Sequence, residues 1–154
     1  MNTMGNTMSP MEIAQERVRT WRSGSLDLTS LELTELPDIP EGVTKLYCRN
    51  NKLTSLPKLP PGLSELRCSA NKLTSLPELP AHLSGLCCGR NQLTSLPPLP
   101  ASLKWLDCYR NQLTTLPPLP RGLVSLYCNE NHFPDADPNE TISQYVARVN
   151  KKNS

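Results

Sequence analysis

The sequence predicts a solenoid of short parallel strands, and three observations carry that prediction. A phrase bearing leucine and cysteine returns every twenty residues from Val43 onward. The sixteen prolines fall almost entirely inside that phrase, which marks a periodic turn and not a disordered Pro-rich tail. Hydrophobic residues make up 37% of the 154 positions with a single phenylalanine, too little aromatic filler for an ordinary globular core but enough for a leucine stack.

Aligned on the cysteines, the units begin at Val43, Leu63, Leu83, Leu103 and Leu123 and read L-x-x-L-x-C-x-x-N-x-L-T-S/T-L-P-x-L-P until the last breaks off. This is the leucine-rich-repeat pattern with cysteine in the third strand position. A degenerate opening unit, LDLTSLELTELPDIPEG from Leu26, carries Leu28 there instead. The expected organisation is a disordered N-terminus over 1–8 and a capping helix over 9–22. One degenerate, four full and one truncated coil then fill 23–134, followed by a second capping helix over 135–150 and a tail over 151–154.

The first helix is read from SPMEIAQERVRTW. Ser9 is its N-cap, Pro10 its first residue and Glu12 the closing member of a capping box, with Met11, Ala14, Val18 and Trp21 along one face. In each following L-x-C the leucine and cysteine are two apart, so an extended segment points both to one face and their neighbours to the other. Parallel strands lie about 4.8 Å apart, so six coils make a concave sheet on the order of 25 Å long. The L-P-x-L-P segment returns the chain along the convex side. Proline fixes φ near −65° and removes a donor, so this side is expected to be extended and polyproline-like.

Asn51, Asn71, Asn91, Asn111 and Asn131 are expected to form a structural ladder, turning inward where each strand ends and satisfying the backbone of neighbouring turns. The closing helix is read from DPNETISQYVARV. Asp137 caps, Pro138 follows, Glu140 closes the box, and Ile142, Tyr145, Val146 and Val149 form the apolar stripe. Each helix lids one end of the leucine core.

Five cysteines, Cys48, Cys68, Cys88, Cys108 and Cys128, occupy the inward position of successive strands, interchangeable with Leu28, and are expected to be structural core. No metal is expected, because thiols in a straight row diverge from any tetrahedral centre and neither His82 nor His132 falls at a matching inward position. Disulfides between neighbouring coils satisfy the Cα distance, yet in-register parallel strands orient the Cβ atoms poorly for them. The opening MNTMGNTMSP has neither a basic n-region nor an apolar core, so the expectation is a soluble chain in a reducing cytoplasmic compartment with its thiols free.

Outward strand positions carry three of the four tyrosines and one of the two tryptophans, residues a leucine core has no use for there. The candidate partner-binding residues are Tyr47, Arg49, Arg67, Cys87, Trp105, Asp107, Tyr109 and Tyr127. The pattern suggests a hollow floored by Gly85 and Gly89, walled by Trp105 and Tyr109 on one side and by Arg67, Tyr47 and Arg49 on the other. Cys87 occupies an outward slot between those glycines, where Arg67 would lower the pKa of a thiolate, but no histidine can be placed beside it as a base.

The phrases NKLTSLPELP, NQLTSLPPLP and LPPGLSELRC resemble the LPX class of bacterial leucine-rich-repeat proteins. That class includes type III secreted effectors related to the Yersinia outer protein M and the Shigella and Salmonella ubiquitin-ligase effectors. The resemblance runs from about Leu26 to Pro134. Similar cysteine-bearing repeats, with segments like WRSGSLDLTSLELTELP and ETISQYVARV, also occur in proteins of large DNA viruses that infect amoebae. The effector resemblance implies a concave face that recognises another protein, acting in the host cytoplasm if the chain is delivered. It implies no ligase activity, since only twenty residues follow Pro134 and the ligases carry a large helical catalytic domain there.

The sequence reading is therefore a non-catalytic protein-interaction module, without cofactor, binding a protein or peptide on its concave face as a monomer or weak homodimer. No paired carboxylates, Ser-His-Asp set or phosphate loop can be assembled. A self-associating structural role is the alternative. Behind it stand single-stranded nucleic-acid binding, through Lys45, Arg49 and Arg67 beside the aromatics, and thiol chemistry at Cys87. A net charge of +2 and the interrupting Asp27, Glu65 and Asp107 argue against nucleic acid.

Overall fold

The computed structural model of the protein describes residues 7–133, 137 and 139–152. Residues 1–6, 134–136, 153 and 154 and the expected helix-opening Pro138 lie outside the described residues, as do the side chains of Ile142 and Val149.

Helix α1 (Pro10–Thr20) is followed by six three-residue strands: β1 (Ser25–Asp27), β2 (Lys45–Tyr47), β3 (Glu65–Arg67), β4 (Gly85–Cys87), β5 (Trp105–Asp107) and β6 (Ser125–Tyr127). Helix α2 (Ile142–Lys152) closes the chain. The strands form one parallel sheet in sequence order, with every register partner twenty residues away, as in Leu66 opposite Leu86. No helix intervenes between strands. The chain is a leucine-rich-repeat solenoid.

The repeat dictates this shape by giving every coil the same turns. After each L-P-x-L-P, a tight turn brings the N–H of Val43, Leu63, Leu83, Leu103 and Leu123 to the carbonyls of Pro40, Pro60, Pro80, Pro100 and Pro120 at 3.0–3.1 Å. Inside, Leu46, Leu66, Leu86 and Leu106 are fully buried beside Cys48, Cys68, Cys88 and Cys108, with Leu53, Leu73, Leu93 and Leu113 behind them. Each such leucine contributes about 1.5–3 kcal/mol by leaving water. The ends need lids because the last coil has no neighbour to cover its core face.

Helix α1 provides one lid. Ser9 Oγ accepts the Glu12 N–H at 3.3 Å and the Glu12 carboxylate accepts the Ser9 N–H at 2.7 Å, closing the capping box. Ala14 is fully buried, Val18 and Trp21 pack on the core, and Arg17 donates to the Asp27 carbonyl at 2.8 Å. Helix α2 provides the other through buried Tyr145 and Val146, with the Tyr145 ring 5.2 Å from that of Phe133. Its cap differs from the expected one. Helix α2 begins at Ile142, and the reciprocal pair is Thr141 with Gln144: the Gln144 N–H reaches Thr141 Oγ1 at 3.3 Å and the Thr141 N–H reaches Gln144 Oε1 at 2.9 Å. Asp137 Oδ1 accepts the Asn139 N–H, while the Glu140 carboxylate pairs with the Arg148 guanidinium and keeps a backbone hydrogen bond with Asp137. Among the described residues, no helix is long and apolar enough to cross a membrane.

Candidate interaction surface

The inward columns hold the sheet in place. Each ladder asparagine donates to a carbonyl of its own coil and one of the coil before, and accepts an N–H from that earlier coil. Asn91 Nδ2 reaches Cys88 O at 3.0 Å and Cys68 O at 3.1 Å, while its Oδ1 accepts the Leu73 N–H at 3.0 Å. Asn51, Asn71, Asn111 and Asn131 repeat the arrangement. The amide can turn inward because the residue before it is left-handed, with φ of 52–55° at Asn50, Ala70, Arg90, Arg110 and Glu130. Sequence pattern offers no signal for that conformation, since none of the five is glycine.

The thiols of Cys48, Cys68, Cys88, Cys108 and Cys128 are fully buried and free. Burial pushes Cys48 up to about 12 and raises Cys68 and Cys88. Cys108 is raised by its hydrogen bond with Cys128 and by burial. The raised pKa keeps the thiols of Cys48, Cys68, Cys88 and Cys108 protonated at neutral pH.

On the outward face the structure corrects the expected hollow. Gly85 and Gly89 do not form an open floor; both are buried. Trp105, one coil on, lies across Gly85, its Nε1 2.6 Å from where a Cβ would stand, and Tyr109 lies across Gly89 with Cε1 at 2.7 Å. A strand position without a side chain leaves a gap, and the neighbouring aromatic leans into it. Trp105 thereby meets Arg67 from the far side. The Arg67 guanidinium sits 5.8 Å from the Trp105 ring and 5.2 Å from the Tyr47 ring, and its Nε donates to Glu65 Oε1 at 2.5 Å. Lys45 Nζ adds a second contact to Glu65 at 3.6 Å.

The open hollow lies further along the stack. Its volume is about 330 Å³, and Arg67, Cys87, Trp105, Leu106, Asp107, Ser125 and Tyr127 line it. Five of the eight expected residues thus come together: Arg67, Cys87, Trp105, Asp107 and Tyr127. Tyr47 lies behind Arg67, and Tyr109 stacks under the Arg90 guanidinium at 5.7 Å. Arg49 is exposed and helps hold the Asp27 carboxyl low; burial alone would raise that group, but Thr29, Arg17 and Arg49 outweigh it. Ser125, Leu106 and the Arg67 partner Glu65 were not among the expected residues. Glu65 was legible, lying two positions before Arg67 on the same strand face.

Cys87 is half-buried and lines the hollow beside Trp105 and Asp107. Its sulfur is 2.9 Å from Ser69 Oγ and 3.5 Å from Asp107 Oδ2. Burial raises its pKa, and Asp107 adds to the rise; the hydroxyl of Ser69 and the charge of Arg67 pull the other way without overcoming it. The surroundings therefore stabilise a thiol and not a nucleophilic thiolate. Among the described residues no cluster of His, Cys, Asp and Glu could hold a metal ion.

The Leucine Rich Repeat family pattern matches residues 102–123. Among solved structures, the leucine-rich-repeat domain of a Shigella effector is similar at a TM-score of 0.81 and 33% identity, over 86% of this chain and 63% of that one. The leucine-rich effector protein YopM from Yersinia pestis is similar at 0.64 and 31% identity, over 78% of this chain and 42% of that one. YopM from Yersinia enterocolitica gives 0.53 and 36%, over 65% and 27%. The chain thus spans less than two thirds of each of these structures. Comparison with curated proteins gives no significant match.

Proposed function

We propose that this leucine-rich-repeat chain, similar to the repeat domains of bacterial effectors, is a non-catalytic interaction module whose concave face binds a protein or peptide. The observation that carries the proposal is Tyr127, 61% exposed at the rim of a hollow that also presents Trp105 and Arg67. Leucines of the same strands fill the core, so the exposed Tyr127 is not needed there, and exposed Tyr, Trp and Arg on a rigid sheet are the usual anchors of protein recognition. The registered sheet presents them on an already ordered backbone, which leaves only side-chain ordering to be met on binding. The repeat domains it resembles are interaction surfaces, and a cytoplasmic setting, in a host cell if the chain is delivered as an effector, suits its free thiols.

The test is capture of partners from a cell lysate by the wild-type chain, by Tyr127→Ala and Arg67→Ala variants, and by Lys58→Ala on the convex side as control. A protein retained by wild type and Lys58→Ala but lost by the first two places recognition on the concave face. Retention unchanged by all three variants would remove that face from consideration. A chain that instead sediments as a concave-face dimer, disrupted by Tyr127→Ala, would favour self-assembly.

A further inference from the structure

We propose that the hollow bounded by Trp105, Asp107 and Tyr127 takes a cationic side chain, lysine or arginine, of the bound partner. This rests on the interaction-module reading and names the chemistry of its site. The hollow holds two charged groups of opposite sign, Arg67 and Asp107, so it could in principle recognise either charge. Their partners decide between them. Arg67 is already paired with Glu65 at 2.5 Å and held between two rings, so an incoming carboxylate would compete with a satisfied ion pair. Among the described residues Asp107 has no such neutralising partner: it accepts the Tyr109 N–H at 3.3 Å and the Cys87 thiol at 3.5 Å, both neutral donors, and none of the ion pairs there reaches it.

The walls favour the same choice. Trp105 and Tyr127 present aromatic surface beside the carboxylate, and a ring quadrupole attracts a cation and repels an anion. The same aromatic faces suit the methylene stem of a long cationic side chain whose charged end meets Asp107. The volume, about 330 Å³, accommodates one such side chain and not a folded element.

The test uses capped tripeptides, acetyl-Gly-X-Gly-amide with X as Arg, Lys, Met or Glu, titrated into the full chain while the Trp105 indole N–H and the Asp107 and Tyr127 amides are followed by NMR. The Arg and Lys peptides are expected to shift these resonances, to weaken as salt is added, and to bind about fivefold more weakly to Asp107→Asn. Ser125→Lys, which places a cation in the hollow from within, is expected to abolish the shifts. Equal binding of the Glu or Met peptide, indifference to Asp107→Asn, or no shift from any peptide up to its solubility limit would overturn the proposal. A lysate partner lost by Tyr127→Ala but retained by Asp107→Asn would leave the interaction module standing and remove only the cationic side chain.

Discussion

The indole of Trp105 occupies the space that a side chain at Gly85 would fill, although the two residues belong to adjacent coils. That exchange holds Trp105 against Arg67 and shapes one wall of the hollow. Gly85→Ala is therefore expected to force the indole off the sheet, lower stability by about 1–3 kcal/mol in urea denaturation, and shift Trp105 fluorescence toward the exposed range. Gly62→Ala is the control. A Cβ there meets nothing within 4 Å, so stability should change by no more than about 0.5 kcal/mol.

Asn91 joins two coils through four backbone groups, the carbonyls of Cys68, Cys88 and Gly89 and the N–H of Leu73. Asn91→Ala leaves these carbonyls and the N–H without that partner, and a loss of about 3 kcal/mol or more is expected in the urea midpoint. Asn91→Asp should be no better at neutral pH, because a carboxylate cannot donate to the carbonyls of Cys68 and Cys88. An aspartate variant as stable as wild type would contradict the ladder as described.

Ala70 has φ of 54°, the left-handed region in which a Cβ costs about 1–2 kcal/mol. Glycine removes that cost but adds about 0.5–1 kcal/mol of unfolded-chain entropy. Ala70→Gly should therefore stabilise by a few tenths to about 1 kcal/mol, raising Tm by a few degrees. A fall in Tm would show that the Ala70 methyl makes a packing contribution larger than the strain.

The buried thiols predict a loss of stability at alkaline pH. The folded pKa values of Cys48, Cys68, Cys88 and Cys108 are raised, to about 12 for Cys48 against an ordinary 9.0. The folded chain holds these protons more tightly than the unfolded one. Stability is then intact below about pH 9 and falls as pH rises toward the folded pKa, by up to about 1.4 kcal/mol per pH unit for each thiol. Thermal melts between pH 7 and 10 should show Tm dropping at the upper end, and Cys48→Val should flatten the slope. A slope unchanged by that variant would assign the effect to other groups.

Much of the fold was legible in the chain because each coil repeats one local instruction. Leucine and cysteine two apart must share a strand face, and proline every few residues excludes a convex helix, so the parallel sheet followed from spacing alone. The ladder asparagines followed from their fixed offset after the cysteine. The cap of α2 was less legible because two boxes follow one another, Asp137 to Glu140 and Thr141 to Gln144, and the helix starts after the second. The left-handed residues before the ladder were not legible at all, since Asn50, Ala70, Arg90, Arg110 and Glu130 share no chemistry.

The sequence by itself determined the twenty-residue register, the inward columns and the identity of the residues on the outer face, because period and alternation are properties of the backbone. Only the tertiary structure decided where that face is open. A glycine reads as empty space in a single strand, but its neighbour lies twenty residues away and 4.8 Å across, by the usual sheet spacing of about that value. Which side chain fills the gap depends on what that neighbour is. Trp105 and Tyr109 closed the hollow expected over Gly85 and Gly89, and the opening moved to Asp107 and Tyr127, where no glycine drew an aromatic ring down onto the sheet.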